Sequence, residues 1–428
     1  MTSPKNSSVI AERTSVPAIS SLMQMALDNP GLVSLAAGFV DQHSLPIDFV
    51  ARGVERLARD RNEGLRALQY GTTIGDPGLR QRLVDLLEQD EEVAEGTFQH
   101  VLPRTVVTTG SQQLLYLIAE ALLDPGDIVL VESPTYFVFL GVLETRGVEV
   151  IGVETDEGGL KLDALEATLA ELESQGRLDR VKLIYTVSEH SNPSGVSLAA
   201  DRRGPLVEIA RRWSKRRPIF ILEDAAYRGL TYDGHQPPSV WRFDESGETV
   251  ILARTFSKTF SPGLKLGYGI LPASLLGLIL RLKGNHDFGS SNFAQVLLDN
   301  LIAEGHYEAQ VKQLVTIYRR KRDTLLDALK TYFQGFENLV HWTHPKGGLY
   351  VWLSLPPDLD TGMDGPLFRR CLSEEVLYVP GAFAFAAQPG PVAVNHMRIC
   401  FGVPQDADLV EGIRRLSMAL ADCLDPVA

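Results

Sequence analysis

Between about residues 100 and 270, the chain alternates short Val- and Ile-rich runs with helix-like stretches. The runs are TVVTT, IVLVE, KLIYTV, PIFILED and VILART, and the first two are separated by SQQLLYLIAEALLDPGD. Such alternation is typical of βαβ units, in which helices connect parallel strands. The pattern predicts an α/β fold with a mostly parallel central sheet.

The last third of the chain has a different pattern. The amphipathic stretch YEAQVKQLVTIYRRKRDTLLDALKTYF precedes the alternating run GGLYVWLSL, which predicts a smaller α+β domain. A chain of 428 residues also exceeds the usual size of one hydrophobic core. We therefore expect a large domain over residues 51–305, a small domain over residues 306–428, and an N-terminal arm, residues 1–50, that packs with the small domain.

Charge and cysteine content narrow the class of protein. The net charge of −13 argues against a nucleic-acid partner, because such proteins usually carry a basic face. Cys371, Cys400 and Cys423 form no CxxC pair of the kind found in disulfide frameworks or zinc sites. The nine histidines show no HExxH or other paired metal spacing. We expect a cytoplasmic protein without a bound metal.

No segment resembles an export signal or a membrane span. The N-terminal sequence MTSPKNSSVIAERTSVPAIS is polar, and the longest nearly apolar stretch, GYGILPASLLGLIL, is too short to span a bilayer. We therefore expect no membrane partner.

Polar residues follow three neighbouring strands of the predicted sheet. KLIYTV leads to Asn192, PIFIL leads to Asp224 and Tyr227, and VILA leads to Lys258. Ligands of open parallel sheets bind beyond the carboxyl ends of the strands. These four side chains are therefore expected to meet in one crevice.

A fourth strand, TVVTT, leads into Gly110, Ser111 and Gln112 at the start of a helix. Free N–H groups at a helix N-terminus, with a small hydroxyl beside them, favour phosphate. A phosphate site together with a lysine and an acid matches the needs of pyridoxal 5′-phosphate. Lys258 would bind the cofactor covalently, and Asp224 would keep its pyridine nitrogen protonated.

Three further side chains are candidates for contacts with the cofactor ring. Asn192 and Tyr227 would hydrogen-bond the ring oxygen. Tyr136, in ESPTYF, would stack on the ring, or it is a core aromatic. A lone strand-end lysine is usually a surface residue and a lone TTGS is usually an ordinary turn, but their occurrence together and in this order is far more specific.

The order and spacing of motifs along nearly the whole chain resemble the fold type I, class I/II aminotransferases. The similarity is to the branch that contains aromatic, branched-chain and 2-aminoadipate aminotransferases. It is carried by SLAAGFVDQHSLP, LQYGTTIGDPGLR, VTTGSQQ, ESPTY, YTVSEHSNPSG, EDAAYRGL, TFSKTFSPGLKLGY, PKGGLYVWLSLP, VPGAFAF and NHMRICFG. The resemblance implies a homodimer with active sites at the subunit interface. It also implies exchange of an amino group between an amino acid and a 2-oxo acid such as 2-oxoglutarate.

The same resemblance implies a role for each matching residue. Lys258 would be the Schiff-base lysine and proton carrier, and Asp224 the partner of the ring nitrogen. The substrate carboxylate would be bound by the Arg398 guanidinium and the Gly38 backbone N–H, and Asn192 would also contact the substrate. The phosphate would be bound by residues from three motifs, namely Ser111, Gln112, Thr255 and Ser257, with Tyr70 reaching it from the neighbouring subunit.

Two positions depart from the family pattern. Lys265 replaces the usual arginine after SPGL. At the phosphate, an ammonium therefore replaces a guanidinium, which can make two parallel hydrogen bonds. Residues 188–191, SEHS, replace the usual proline and glutamine before the asparagine. Because this turn lines the edge of the cofactor, the substrate class is left open.

Three alternatives remain at the level of sequence. The same scaffold supports β-lyases, decarboxylases and cyclopropane-forming synthases. A pyridoxal-phosphate-sensing transcriptional regulator would carry an upstream winged helix, for which we expect no room because the resemblance begins near Ser34. A catalytically silent binding protein would be favoured only if Lys258, Asp224 or Arg398 were missing.

Overall fold

The structure is a computed structural model that describes residues 6–387 and 393–424. Its α-helices are α1 (Val9–Arg13), α2 (Ala18–Asp28), α3 (Ile47–Arg59), α4 (Arg61–Leu68), α5 (Pro77–Asp90), α6 (Gly110–Leu122), α7 (Phe137–Arg146), α8 (Leu162–Ser174), α9 (Ala200–Trp213), α10 (Ala273–His286), α11 (Asn292–Ala303), α12 (His306–Tyr332), α13 (Pro366–Ser373) and α14 (Asp406–Leu424). Short 3₁₀ helices lie at Gln42–Ser44, Gln99–Arg104, Leu178–Arg180, Val240–Phe243, Pro262–Leu264 and Gly381–Ala384.

The strands are β1 (Val33–Ser34), β2 (Thr105–Thr108), β3 (Ile128–Ser133), β4 (Glu149–Asp156), β5 (Gly159–Leu160), β6 (Val181–Thr186), β7 (Phe220–Asp224), β8 (Val250–Thr255), β9 (Gly267–Ile270), β10 (His341–Trp342), β11 (Tyr350–Ser354), β12 (Val376–Leu377), β13 (Val379–Pro380) and β14 (His396–Cys400).

The central sheet has the strand order β2-β9-β8-β7-β6-β3-β4-β5. Strands β8, β7, β6, β3 and β4 pair in parallel, whereas β9 is antiparallel to both of its neighbours and β5 is antiparallel to β4. The predicted α/β fold with a mostly parallel sheet is confirmed. All five Val- and Ile-rich runs are strands of this sheet, which brings the carboxyl ends of β6, β7 and β8 to one edge.

Apolar side chains cover both faces of the central sheet. Successive residues of β3 point in opposite directions, so that Val129 packs in one apolar cluster and Leu130 in the other. Leu114 of α6 belongs to the first cluster and Leu206 of α9 to the second. Because both faces are covered, the strands read as continuous apolar runs.

A second sheet, of order β10-β11-β14-β13, is antiparallel throughout. Helix α14 packs against α12 and α13 beside it. This is the smaller α+β arrangement that the last third of the sequence predicts. Strand β1 pairs in parallel with β12 and so joins the N-terminal segment to this region.

The N-terminal segment also contacts the large sheet's helices. The hydroxyls of Thr14 and Thr145 lie 3.2 Å apart, and Ser15 donates a hydrogen bond of 2.9 Å to Glu144 of α7. The expected boundary at residue 50 falls inside α3, whereas the one at residue 306 coincides with the start of α12. The division into arm, large domain and small domain stays a prediction.

Residues 6–387 and 393–424 include no helix that is both long and apolar enough to cross a bilayer.

Candidate active site

A cavity of about 170 Å³ opens at the carboxyl ends of β6, β7 and β8, beside the first turn of α6. It brings together every residue predicted to contact the cofactor except Tyr70. Its lining residues are Thr109, Gly110, Ser111, Gln112, Tyr136, Val187, Asn192, Asp224, Ala226, Tyr227, Thr255, Ser257, Lys258 and Lys265.

Asp224, the last residue of β7, is buried and has one free oxygen. Its Oδ2 accepts a hydrogen bond of 2.9 Å from the Tyr185 hydroxyl, whereas Oδ1 has no partner among the described residues. Burial raises the pKa of Asp224 to about 6, against hydrogen bonds from Tyr185 and the Ala226 backbone that lower it. A buried acceptor without a partner is costly. A protonated ring nitrogen would satisfy Oδ1, so Asp224 fits the expected cofactor.

Lys258 follows β8 and places its amine in the same cavity. Its Nζ donates a hydrogen bond of 2.7 Å to the Gly38 carbonyl oxygen. Burial lowers the pKa of Lys258 to about 8, and the nearby positive charges of Arg398 and Lys265 act in the same direction. A neutral amine is the nucleophilic form, so the lowered pKa increases the reactive fraction of Lys258 near neutral pH.

The first turn of α6 forms one wall of the cavity. The helix begins at Gly110, whose φ is +71°, and no side chain caps its N-terminus, where Thr109 precedes it. The first-turn N–H groups therefore lack a side-chain acceptor, and the side chains of Ser111 and Gln112 stand beside them. This arrangement fits a phosphate group.

Another part of the wall comes from the end of β8 and the residues just after it. Thr255 Oγ1 and Ser257 Oγ lie 3.0 Å apart. A β-carbon on Gly267 would lie 2.8 Å from the Ser111 backbone nitrogen, so only glycine fits where this strand passes the phosphate wall. Lys265 is exposed and adopts a left-handed conformation, with φ at +53°, at the mouth of the cavity.

Arg398 lies buried on β14, next to the cavity. Its guanidinium donates hydrogen bonds of 2.9 Å to Asn192 Oδ1 and 2.6 Å to the Ala36 carbonyl, while its Nε has no partner among the described residues. It lies over the rings of Phe137 and Tyr350, at 5.4 and 4.5 Å from their centroids. The two residues predicted to bind the substrate carboxylate, Arg398 and Gly38, are thus both joined to cavity residues.

Of the residues predicted to contact the cofactor, Tyr70 is the one that a single chain does not bring to this cavity. Its side chain is 83% exposed and meets Phe288 edge-on, with the ring centroids 5.8 Å apart. Both residues line a separate cavity of about 480 Å³. Tyr136, in contrast, is half-buried and lines the active-site cavity, where its ring is available to a ligand.

Two tyrosines at the site were missed by the sequence analysis. Tyr185 bonds to Asp224 from the neighbouring strand, and Tyr350 accepts a hydrogen bond of 3.1 Å from the Tyr227 hydroxyl. Both stand in runs that were recognised as strands, KLIYTV and GGLYVWLSL. Their partners depend on strand register and on contacts between the two sheets, which neither run reveals.

The turn that departs from the family pattern is part of a buried charge network. Glu189 Oε1 accepts hydrogen bonds of 2.8 Å from Arg203 and 2.7 Å from Arg228. Although burial opposes its ionisation, these two cations hold the pKa of Glu189 below its usual value. Ser188 Oγ lies 2.7 Å from both Glu189 and Glu223. The segments that carry Asn192 and Asp224 are therefore anchored to one ion-pair network.

No group of three or more His, Cys, Asp or Glu side chains within the described ranges is arranged to hold a metal ion. The expectation of a protein without metal stays a prediction. Cys371, Cys400 and Cys423 are all free thiols.

Comparisons with known proteins agree with this geometry. The sequence profile described as aminotransferase class I and II matches residues 30–416. An uncharacterised aminotransferase of Saccharolobus solfataricus is 34% identical, over 91% of each chain. The 2-aminoadipate transaminase of Thermus thermophilus is 31% identical over 97% of this chain and 96% of its own. The crystal structure of Pyrococcus horikoshii kynurenine aminotransferase, in complex with PMP and kynurenine, is 29% identical with a TM-score of 0.88 over 98% of both chains.

The profile match covers most of the chain, and the relatives cover it almost end to end. The structural match extends over both sheets and supports pyridoxal phosphate as the cofactor. The chain belongs to the class I and II aminotransferases and is a pyridoxal-5′-phosphate-dependent enzyme that transaminates amino acids.

Proposed function

We propose that this aminotransferase exchanges the amino group of an aromatic, branched-chain or 2-aminoadipate-like L-amino acid with a 2-oxo acid such as 2-oxoglutarate. The names of the Thermus and Pyrococcus relatives, a 2-aminoadipate transaminase and a kynurenine aminotransferase, support the 2-aminoadipate-like and aromatic members of this donor class. The observation that carries the proposal is the position of the Lys258 amine in one cavity with the unpartnered, buried Oδ1 of Asp224.

The roles of the two ionisable residues follow from their surroundings. When bound, pyridoxal phosphate supplies an electron-accepting ring that stabilises negative charge at the substrate α-carbon. Asp224 would hold the proton on the ring nitrogen, because its unpartnered oxygen needs a donor. Lys258 removes and returns the substrate proton, a task suited to an amine with a pKa of about 8.

The remaining residues of the cavity would bind and orient the cofactor. Ser111, Gln112, Thr255, Ser257 and Lys265 would hold the phosphate, Tyr136 would offer its ring for stacking, and Asn192 and Tyr227 would bond to the ring oxygen. These assignments are supported by the joint lining of one cavity by all eight side chains.

Arg398 binds the substrate α-carboxylate, with the Gly38 N–H as a second donor. A planar guanidinium suits a bidentate carboxylate contact. The contacts of Arg398 with Ala36 and Asn192, and its unpartnered Nε, are consistent with a side chain that has donor capacity left for a substrate.

We further infer a homodimer in the cytoplasm. Exposed apolar side chains surround Tyr70, including Leu68 at 79% and Phe288 at 61% exposure. Large exposed apolar patches usually mark interaction sites. Light scattering at assay concentration should give twice the chain mass of 47.1 kDa. A fully active monomer would contradict this inference.

The donor is identified by a transamination screen of the common L-amino acids with 2-oxoglutarate and with pyruvate. A new amino acid and a new 2-oxo acid in equal amounts support the proposal. Ammonia with a cleaved side chain, carbon dioxide, or a cyclopropane product would identify the other reactions of the scaffold. If none of the aromatic, branched-chain or 2-aminoadipate donors reacts, the proposed donor class is wrong.

Two variants separate binding from chemistry in that screen. Asp224→Ala should retain part of the cofactor, because the phosphate contacts survive, yet lose proton abstraction. Lys258→Ala should lose turnover altogether. The matched control is Lys330→Ala, which removes an exposed lysine of α12 and should leave activity unchanged.

A further inference from the structure

Tyr350 touches both halves of the active site. Its hydroxyl accepts a hydrogen bond of 3.1 Å from the Tyr227 hydroxyl, and the two rings meet edge-on at 5.6 Å. The Arg398 guanidinium lies 4.5 Å from the centroid of the Tyr350 ring. Tyr350 is only 1% exposed, so its side chain is held in this position by buried contacts.

The loop that carries Gly38 packs closely against the Tyr350 hydroxyl. A β-carbon on Gly38 would lie 2.9 Å from the Tyr350 hydroxyl oxygen and 3.7 Å from Arg398 Nη2. The Gly38 carbonyl in turn accepts the hydrogen bond from Lys258. Tyr350 is therefore in contact with the residues assigned to the ring oxygen and to the substrate carboxylate.

We propose that Tyr350 is a positioning residue with two separable functions: its hydroxyl orients and polarises the Tyr227 hydroxyl, and its ring holds the Arg398 guanidinium in place. The inference rests on the proposed function, since it concerns the cofactor oxygen and the substrate carboxylate that the proposed roles assign to Tyr227 and Arg398.

The hydroxyl function follows from counting protons. A phenol has one proton to donate, and Tyr227 donates it to Tyr350 in this structure. When Tyr227 donates instead to the negatively charged ring oxygen, its own oxygen is free to accept from Tyr350. A donor that accepts a hydrogen bond itself is a stronger donor. Tyr350 would therefore strengthen the contact between Tyr227 and the ring oxygen.

The ring function follows from the position of the guanidinium. The Arg398 guanidinium lies over the rings of both Tyr350 and Phe137, and an aromatic face attracts a cation electrostatically. This contact restricts the plane in which Arg398 presents its donors. A phenylalanine at position 350 would keep the ring, whereas a leucine would remove it.

The ionisable groups around Tyr227 and Tyr350 determine which pH titration can report on their hydrogen bond. Tyr227 is faced by Tyr350, Tyr136 and Arg398, and Tyr350 additionally by Cys400. Burial raises the pKa of each of these phenols and of the thiol above its usual range. Lys258 and Asp224 line the same cavity, but Asp224 bonds to Tyr185 and not to Tyr350. A change in the pH titration of the lysine-bound cofactor's absorbance therefore reports on the ring-oxygen contact.

The test uses the holoenzyme and three variants. Tyr350→Phe should raise the midpoint of the absorbance titration by about 0.4 to 1 pH unit, which corresponds to the loss of one hydrogen bond. The midpoint rises because the variant stabilises the ring oxygen's negative charge less well. That charge matters most when the nitrogen joining the lysine to the cofactor has lost its proton. The same variant should change KM for the amino acid by less than about twofold, because the aromatic ring stays under Arg398.

Tyr350→Leu should add an increase in KM of about 2- to 30-fold, the range expected for loss of a cation–π contact. The matched control is Tyr378→Phe, which removes another buried tyrosine hydroxyl, bonded to the Thr361 carbonyl in the small domain. It should change neither the titration midpoint nor KM.

A rescue experiment tests the geometry independently. Gly38→Ala should impair cofactor and substrate binding, because its β-carbon collides with the Tyr350 hydroxyl. The double variant Gly38→Ala/Tyr350→Phe removes the colliding oxygen and should recover part of the loss. Recovery would also show that Tyr350→Phe is folded.

An unchanged midpoint in Tyr350→Phe, or an equal change in Tyr378→Phe, would overturn the hydroxyl function. An unchanged KM in Tyr350→Leu would overturn the ring function. If the wild-type enzyme is active, either of these results leaves the proposed amino donor and acceptor unaffected. If the wild-type enzyme transaminates none of those donors, the proposed function alone is wrong.

Discussion

The Lys258 amine donates its hydrogen bond of 2.7 Å to the carbonyl oxygen of Gly38. Two residues earlier, the Ala36 carbonyl accepts the hydrogen bond from Arg398. One short loop, residues 36–38, therefore holds both the amine that binds the cofactor and the guanidinium assigned to the substrate. Attachment of the cofactor to Lys258 would require this loop to release the amine.

The lowered pKa of Lys258 predicts how cofactor attachment depends on pH. The neutral amine attacks the cofactor aldehyde, so the attachment rate to apoenzyme should rise about tenfold per pH unit below pH 8 and level off above it. Stopped-flow absorbance measures this rate. The same reaction with butylamine in place of the protein gives the pH dependence that comes from titration of the free cofactor. A midpoint near 10.5, the ordinary lysine value, would contradict the burial of the amine.

Tyr185→Phe should weaken cofactor binding at neutral pH. The Tyr185 hydroxyl stabilises the ionised form of Asp224, so its loss raises the Asp224 pKa further above 6 and leaves less carboxylate for the ring nitrogen. We expect the dissociation constant of the cofactor at pH 7 to rise by about 2- to 13-fold, equivalent to one hydrogen bond. The effect should shrink at pH 9, where Asp224 is ionised in both proteins. An effect of the same size at both pH values would assign Tyr185 a purely structural role.

Lys265 tests the departure from the family pattern at the phosphate. Lys265→Ala should cost about 1.5–3 kcal/mol of cofactor binding, the range for hydrogen bonds to charged groups. Lys265→Arg should preserve or tighten binding, because a guanidinium offers two parallel donors. Equilibrium dialysis gives both constants. Binding by Lys265→Ala that equals wild type would show that the exposed side chain points to solvent.

Glu189→Gln tests the buried network behind the active site. Arg203 would lose the carboxylate that compensates it in the interior, whereas Arg228 would keep its buried ion pair with Glu91. Breaking a buried pair costs about 3–5 kcal/mol of unfolding free energy. Glu166→Gln, which breaks an exposed ion pair with Arg212, is the matched control and should cost about 0–1 kcal/mol. Urea unfolding followed by fluorescence compares the two. Equal losses would mean that the Glu189 network adds no more than a surface pair.

Local patterns predicted much of the fold and most of the cofactor site. Apolar runs buried on both faces identify parallel strands, and the carboxyl ends of such strands meet at one edge. Asn192, Asp224 and Lys258 could therefore be placed together although 66 residues separate the first from the last. The helix start at Gly110 was predictable for the same reason, since it follows a strand of the same sheet.

The remaining contacts depend on geometry that single runs do not encode. Tyr185 meets Asp224 only because β6 and β7 pair in the observed register, which aligns Tyr185 with Leu222. Tyr350 reaches Tyr227 across the junction of the two sheets, 123 residues away in the chain. The SEHS turn looked like a local departure, but its Glu189 is held by Arg203 and Arg228 from two other segments.

Borohydride reduction of the holoenzyme, followed by peptide mapping, identifies the lysine that carries the cofactor. Reduction fixes the cofactor to the lysine that carries it, and we predict a single phosphopyridoxyl group on the TFSK peptide, at Lys258. Lys258→Ala should incorporate none under the same conditions. A stoichiometric label on any other lysine of the wild-type protein would contradict the assignment of this cavity as the active site.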